Sequence, residues 1–158
     1  MWIGLISSID IKSVINKLLF DKYGYPVIGI EVTEGYEKLS FFTDIRLNSE
    51  NDETANIVKK EYNFIITYFQ AETNDLDNLT KVEEIKDLLS IRDKKNIKRK
   101  MKLKVKDRYL SVENYQFGYT GEFNNILQIT FEISFYDFCE QEEERQLMKD
   151  MKMNTRME

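Results

Sequence analysis

The stretch Leu127-Gln-Ile-Thr-Phe-Glu-Ile-Ser-Phe135 alternates apolar and polar residues without interruption. Successive side chains of a β-strand point to opposite faces of a sheet, so the run predicts a strand with one buried face and one polar face. A register slip of one residue would bury the polar side chains and expose the apolar ones, which specifies the pairing strongly. The apolar side of this strand is therefore expected to face the core.

Two segments carry apolar residues at helical spacing and predict amphipathic helices. The first spans about residues 8–20, begins at a cap formed by Ser7 and Asp10, and ends before Gly24 and Pro26. The second spans about residues 75–91, and we expect it to pack on the sheet. The two apolar stripes are Ile11, Val14, Ile15, Leu18 and Leu19, and Leu79, Val82, Ile85, Leu88 and Leu89.

The rest of the chain predicts six strands and a final helix. Glu34-Gly35 indicates a turn after which the second strand returns antiparallel to the first, and residues 48–53 predict a polar loop. Residues 140–158 predict a short acidic helix that frays. The order α-β-β-β-α-β-β-β-α indicates one α+β domain over residues 1–158, with helices flanking a mainly antiparallel sheet. The expected strands span 27–32, 39–47, 58–70, 101–106, 110–119 and 127–135.

The third of these strands is partly apolar on both faces. Tyr62, Phe64, Ile66 and Tyr68 share one face, and the other face carries Asn63, Ile65, Thr67 and Phe69. Helices on one side and a neighbouring subunit on the other would explain this pattern, and so would a sheet that is covered internally on both sides.

The composition removes several classes of chemistry. The chain of 158 residues has no histidine and one cysteine, Cys139, so it can form neither an intrachain Cys/His zinc cluster nor a disulfide nor a histidine-based triad. Cys139 precedes an acidic run that would raise a thiol pKa, which favours a packing role. The carboxylates of Glu31, Glu34 and Asp44 show no recognised metal-ligand spacing. We therefore predict no enzyme, no metal and no cofactor.

A basic segment is the sharpest charge feature of a chain whose net charge is −5. Residues 94–108 hold nine basic residues and one acidic one, and the alternation of Met101-Lys-Leu-Lys-Val-Lys106 predicts a strand with its lysines on one face. A subunit contact and a solvated strand face both fit this segment. The candidate contact residues are Lys98, Arg99, Lys100, Lys102, Lys104, Lys106 and Arg108, and the candidate acidic partner patch is Glu140, Glu142, Glu143 and Glu144.

A nucleic-acid-binding module using residues 94–108 is the alternative interpretation. Aromatic residues Tyr115, Phe117 and Tyr119 follow the lysines, and stacking beside basic side chains suits single-stranded nucleic acid. The negative net charge weakens nonspecific attraction to phosphates, although a local patch can still bind them.

The order of motifs along the chain resembles the tail-terminator proteins of tailed phages and phage-tail-like particles. Sequences of that family typically open with an amphipathic helix and later show a helix, a late alternating strand and a C-terminal helix, which here correspond to 76–91, 125–138 and the final segment. Leu39 departs from the family, which often has proline before the Phe pair. The matching motifs are Tyr25-Pro26-Val27, Glu31-Val32-Thr-Glu-Gly35-Tyr36, Phe41-Phe42 and Tyr62-Asn-Phe-Ile-Ile-Thr-Tyr-Phe69.

The resemblance implies a structural protein that forms a ring, commonly a hexamer. In such a ring, the basic residues of 94–108 would line the lumen or form a subunit contact. Such a ring caps the finished tail tube, stops its polymerisation and offers a surface to the neck or head connector. The implied partners are further copies of this chain, the tail tube protein and possible sheath and neck proteins, with DNA only as passing cargo. No run approaches the roughly 18 apolar residues of a membrane-spanning helix. We expect the protein in the bacterial host cytoplasm during assembly and then in the particle.

Overall fold

The fold is a seven-stranded sheet with two helices, taken from a computed structural model that describes residues 5–28, 39–70, 72–92 and 99–138. The sheet order is β1-β2-β3-β7-β6-β5-β4, and every neighbouring pair is antiparallel except β1 with β2. In chain order the elements are α1 (Ser8–Tyr23), β1 (Val27–Ile28), β2 (Ser40–Asp52), β3 (Ile57–Phe69), α2 (Asp75–Leu88), β4 (Ser90–Arg92), β5 (Arg99–Val105), β6 (Arg108–Thr120) and β7 (Ile126–Phe138).

The α+β class, the mainly antiparallel sheet and the order of helices and strands are confirmed. The structure adds one short strand, β4, which pairs antiparallel with the start of β5. The helix expected at 140–158 and the turn expected at Glu34-Gly35 both lie outside the described residues, as does Cys139.

Both helices pack on the same face of the sheet. Helix α1 begins at the predicted capping box, in which the Ser7 hydroxyl accepts a hydrogen bond from the Asp10 amide and the Asp10 carboxylate accepts one from the Ser7 amide. The αL conformation of Gly24 ends the helix. The buried residues of α1, α2 and one face of the sheet form a single apolar cluster, so the predicted register of β7 is confirmed.

Two details of the N-terminal half differ from the sequence prediction. β1 pairs with β2 in parallel, with Val27 opposite Phe41, whereas a tight turn after β1 would have given an antiparallel pair. Residues 48–52 belong to β2 rather than to a loop, because they continue the pairing with β3 beyond a register shift after Leu47. Their polar side chains indicate exposure to solvent, and an exposed strand end satisfies that as well as a loop does.

The buried stripe of α2 is rotated from the predicted one. Val82, Ile85 and Leu89 are buried as expected, but the Leu79 side chain is 46% exposed. Asn78 and Lys81 are buried instead, on the turn of the helix that packs against the sheet. The preference for apolar residues alone could not predict this, because Lys81 is buried through specific polar and aromatic partners.

The side of β7 that faces the helices should dominate its contribution to stability. Phe131 is buried and stacks on Phe64 with ring centroids 5.3 Å apart, so Phe131→Ala should lower the free energy of unfolding by about 3–5 kcal/mol. Glu132→Gln keeps an oxygen acceptor for the exposed amide of Asn114 and should change it by less than about 0.5 kcal/mol. Denaturant titrations of both variants test the register, and equal losses would show that it is wrong.

Candidate assembly surfaces

Strand β5 displays the lysines of the basic segment on the face of the sheet opposite the helices. Leu103 and Val105 are buried in the core, while the alternating residues Lys100, Lys102 and Lys104 point the other way. The predicted alternation is confirmed. Lys98 lies outside the described residues, and Arg99 begins the strand.

Two members of the predicted basic set have internal partners instead. The Lys106 ammonium donates a hydrogen bond to the Leu5 carbonyl at 3.0 Å and lies 3.4 Å from the Asp10 carboxylate. The Arg108 guanidinium donates to the Asp137 carboxylate at 3.0 Å and to the Tyr136 carbonyl. The structure therefore brings Lys100, Lys102 and Lys104 together as a candidate contact surface and separates Lys106 and Arg108 from them.

Asp137 is a buried acid that the sequence analysis missed. Its residue is 3% exposed, and its carboxylate accepts hydrogen bonds from Arg108 and from the Ile6 amide at 2.9 Å, with the Lys60 ammonium 3.9 Å away. A buried carboxylate needs such partners because desolvation without them is costly. The available signal was its position, since the alternation that buries Phe135 also directs Asp137 into the core. Through its hydrogen bond from the Ile6 amide, the Asp137 carboxylate links the N-terminal segment to the end of β7.

Three of the motifs that carry the family resemblance contribute to one aromatic cluster, and the fourth, Glu31 to Tyr36, lies outside the described residues. Tyr25 stacks on Phe41 and on Tyr68, with ring centroids 5.9 and 6.3 Å apart, and Phe41 stacks on Tyr68 at 5.1 Å. Tyr25 follows α1, Phe41 lies in β2 and Tyr68 lies in β3, so positions distant in the sequence are brought together. The three rings form a single packing unit that joins the end of α1 to the sheet.

Lys81 of α2 closes this aromatic cluster from the helix side. Its ammonium lies 4.7, 5.7 and 5.3 Å from the ring centroids of Tyr23, Tyr25 and Tyr68, respectively, and 3.0 Å from the Asp77 carboxylate. The aromatic faces attract the cation, and the carboxylate pairs with it, so its burial is compensated. The space beside the rings of Tyr23, Tyr25 and Tyr68 is thus occupied by Lys81 of the same chain.

The Asp77 carboxylate accepts hydrogen bonds from Lys81 and Tyr68 at the edge of the aromatic cluster. Burial raises the pKa of Asp77, but hydrogen bonds from Lys81, Tyr68 and Gln70 outweigh it and hold the pKa below the ordinary value of 3.8. Burial also raises the pKa of the Tyr68 hydroxyl, and its hydrogen bond to Asp77 adds to that rise. The cluster is therefore anionic at Asp77 and neutral at Tyr68 at physiological pH.

The sheet face opposite the helices is not covered by any helix within the described residues. Cross-strand rows of residues on this face run from β2 through β3 and β7 to β6, and β3 contributes Asn63 and Ile65 to them. Beside the bulge of β6 the face holds a shallow cavity of about 320 Å³, lined by Asn63, Ile65, Asn114, Gln116, Thr130, Phe131 and Glu132. The helix-covered side of β3 is as expected, and a neighbouring subunit on the other side stays a prediction.

The two sides of the sheet carry opposite charge. On the β1 side, β2 holds Asp44, Glu50 and Asp52 against one arginine, Arg46. On the β4 side, β5 holds four basic residues and no acid. The acidic patch expected at Glu140, Glu142, Glu143 and Glu144 lies outside the described residues. On β2, Asp44 is paired with Arg46 at 3.0 Å and Glu50 lies 3.8 Å from the Lys60 ammonium.

An uncovered sheet face and oppositely charged edges are typical of a module that binds other proteins. Comparison with protein families agrees, because the model of the phage tail terminator protein family matches residues 10–145. The chain belongs to this family, which gives it a structural role in tail assembly. A search of curated proteins finds no match.

Residues 5–28, 39–70, 72–92 and 99–138 contain no group of three or more acidic, cysteine or histidine side chains placed to hold a metal ion. Among the described helices, none is long and apolar enough to cross a membrane.

The Asp77 contacts predict an acid-dependent loss of stability. The folded pKa of Asp77 lies below 3.8, so its stabilisation is complete above that pH and is lost as the pH falls through the folded pKa. Asp77→Asn should therefore lower the free energy of unfolding near pH 6, and its difference from the parent protein should shrink below pH 3.8. Denaturant titrations across this range measure it. Asp75→Asn, on the same helix turn, is the control, and a pH-independent Asp77→Asn difference would contradict the assignment.

Proposed function

We propose that this chain assembles into a hexameric ring that caps the completed tail tube. The ring stops further polymerisation of the tube and presents its other side to the neck or head connector. Its partners are copies of itself, the tail tube protein and, where present, sheath and neck proteins, and DNA passes through only as cargo. Assembly takes place in the bacterial host cytoplasm, and the ring then remains in the phage or phage-tail-like particle.

The opposite charges of the two sheet edges carry this proposal. A closed ring is built from heterologous contacts, in which each subunit offers two different and complementary patches. β5 and β2 lie on opposite sides of β3, β7 and β6, so one subunit can use both surfaces at once. Charge complementarity of this kind sets orientation and association rate more than affinity, which suits a protein that must act only at a finished tail end.

Nucleic-acid binding is the second candidate, favoured by aromatic and basic side chains on the uncovered face. The Lys104 ammonium lies 5.9 Å from the Tyr109 ring centroid, and Lys59 lies 5.9 Å from that of Tyr136. The aromatic residues expected to assist are placed differently. The Tyr115 hydroxyl donates to a carbonyl of α2, and Phe117 lies opposite Ile129 on the helix side.

Charge reversal of the β5 lysines tests the capping role. Lys100→Glu, Lys102→Glu and Lys104→Glu together should leave the subunit folded, because exposed charges contribute little to stability. They should lower the fraction of tails of normal length at least tenfold, through loss of attraction and added repulsion at the contact. Electron microscopy of tails assembled with the variant measures length and end structure. Exchange of Lys17, Lys22 and Lys86, exposed on the helices, for Glu is the matched control with the same change in net charge.

The salt dependence of assembly helps to distinguish a contact role of the β5 lysines from a merely solvated face. Assembly by the parent protein should slow as ionic strength rises, since salt screens exposed charges beyond a Debye length of about 8 Å at physiological strength. The triple variant should assemble poorly at all salt concentrations. Normal capping by the folded triple variant would show that the β5 lysines form only a solvated face.

A binding titration tests the second candidate. A fluorescently labelled single-stranded oligonucleotide should show no saturable anisotropy change with the protein at physiological salt if the lysines serve protein contacts. Saturable binding that the triple variant abolishes, and that weakens steeply with salt, would favour the nucleic-acid function instead.

A further inference from the structure

On each side of the sheet, the outermost strand is short and pairs with only part of the backbone edge of its neighbour. On one side β1 pairs with Phe41 and Phe42, and no strand in the described ranges pairs with the outer edge of β2 from Thr43 to Asp52. On the other side β4 pairs with Arg99, Lys100 and Met101, which leaves the outer edge of β5 from Lys102 to Val105 without a described strand partner. Open edges of this kind present backbone amides and carbonyls that can add another strand.

The two open edges lie at the same end of the sheet. Ser49 pairs with Glu61, Glu61 with Ser134, Ser134 with Ser111, and Ser111 with Lys102, so one row crosses from β2 to β5. Continuing the registers by one, two and three residues brings residues 50–52 of β2 level with residues 103–105 of β5. The acidic end of β2 and the lysine-bearing end of β5 are thus at matching heights on opposite sides of one subunit.

We infer that neighbouring subunits join by strand addition, with the end of β2 (Ser49–Asp52) of one copy pairing with the end of β5 (Lys102–Val105) of the next. The inference rests on the proposed ring and names its contact. β2 and β5 run in the same direction within the subunit, because four successive antiparallel pairs separate them, so the joint is a parallel pair. The sheet would then continue from subunit to subunit around the ring.

The charges select this joint over its symmetric alternatives. Pairing β5 with β5 of a second copy would set lysines against lysines, and pairing β2 with β2 would set acids against acids. Pairing β2 with β5 sets the uncharged Ser49 and Asn51 level with Lys102 and Lys104 on the uncovered face, while Glu50 and Asp52 lie on the helix side, level with Leu103 and Val105. Like charges directly opposite are destabilising, so the lysines that discourage self-pairing of the β5 edge permit a partner strand whose residues on the same face are uncharged. The selected contact is head-to-tail, as a closed ring requires.

An engineered disulfide tests the joint directly. In a Cys139→Ser parent, Asn51→Cys and Lys104→Cys place one thiol on each open edge, on the same face and at matching height. Within a subunit the two positions are separated by four strand intervals, roughly 19 Å, which is too far for a disulfide. Oxidation of tails assembled with this variant should therefore give a ladder of covalent oligomers on a non-reducing gel, up to the closed ring.

Three controls sharpen that result. Each single-cysteine variant should give no oligomer beyond trace dimer, because a head-to-tail joint never brings two copies of one position together. Arg46→Cys with Lys104→Cys is offset by about 16 Å along the strands and should give no ladder. Ser49→Cys with Lys102→Cys, one row away on the same face, should reproduce the ladder if the first pair folds poorly.

The outcomes separate the joint from the ring itself. Tail ends that carry a ring by electron microscopy but yield no ladder with either matched pair would overturn the joint and leave the ring standing. Abundant dimer from a single-cysteine variant would indicate a symmetric contact, and a disulfide-linked adduct with another tail protein would assign the edge to that partner, each overturning the inference. Tail ends without any ring would overturn the proposed function as well.

Discussion

The burial of one face of the β3–β7 pair is the constraint on which the rest of the fold depends. Phe64 of β3 stacks on Phe131 of β7, and the rows on either side place Ile66 beside Ile129 and Tyr62 beside Ile133. These are the central strands of the sheet, so their apolar face must be covered, and α1 and α2 supply the cover on that side. Placing both helices on one face leaves the opposite face and the sheet edges for other molecules.

Two buried charges link the N-terminal segment and α2 to that core. Asp137 holds the N-terminal segment through Ile6 and Arg108, and Lys81 holds α2 to the aromatic cluster of Tyr25 and Tyr68. A buried ion pair stabilises a fold little more than apolar residues of similar size would. Removing one partner is nevertheless strongly destabilising, because the other charge stays buried without compensation. Both groups therefore restrict where the flanking segments can dock. Residues of three family motifs, Tyr25, Phe41 and Tyr68, pack together at the second of them.

The same fold separates charges that are adjacent in the sequence. Lys104 and Lys106 are two residues apart, yet Lys104 lies on the uncovered face while Lys106 reaches the N-terminal segment at the start of α1. The left-handed backbone at Lys106, with φ of 54°, belongs to the turn after β5 and ends the alternation there. Among the described residues of the basic segment, the lysines on the uncovered face lie on β5, and the acids of β2 lie towards the far side of the sheet.

The sequence by itself determined the elements whose patterns are local. The alternation from Leu127 to Phe135 specified a strand and its buried face, and the box of Ser7 and Asp10 with the glycine at position 24 specified both ends of α1. Only the tertiary structure decided the parallel pairing of β1, the burial of Lys81 and Asp137, and the separation of Arg108 from the exposed lysines. Those outcomes depend on contacts between residues far apart in the chain, which local hydrophobic periodicity does not encode.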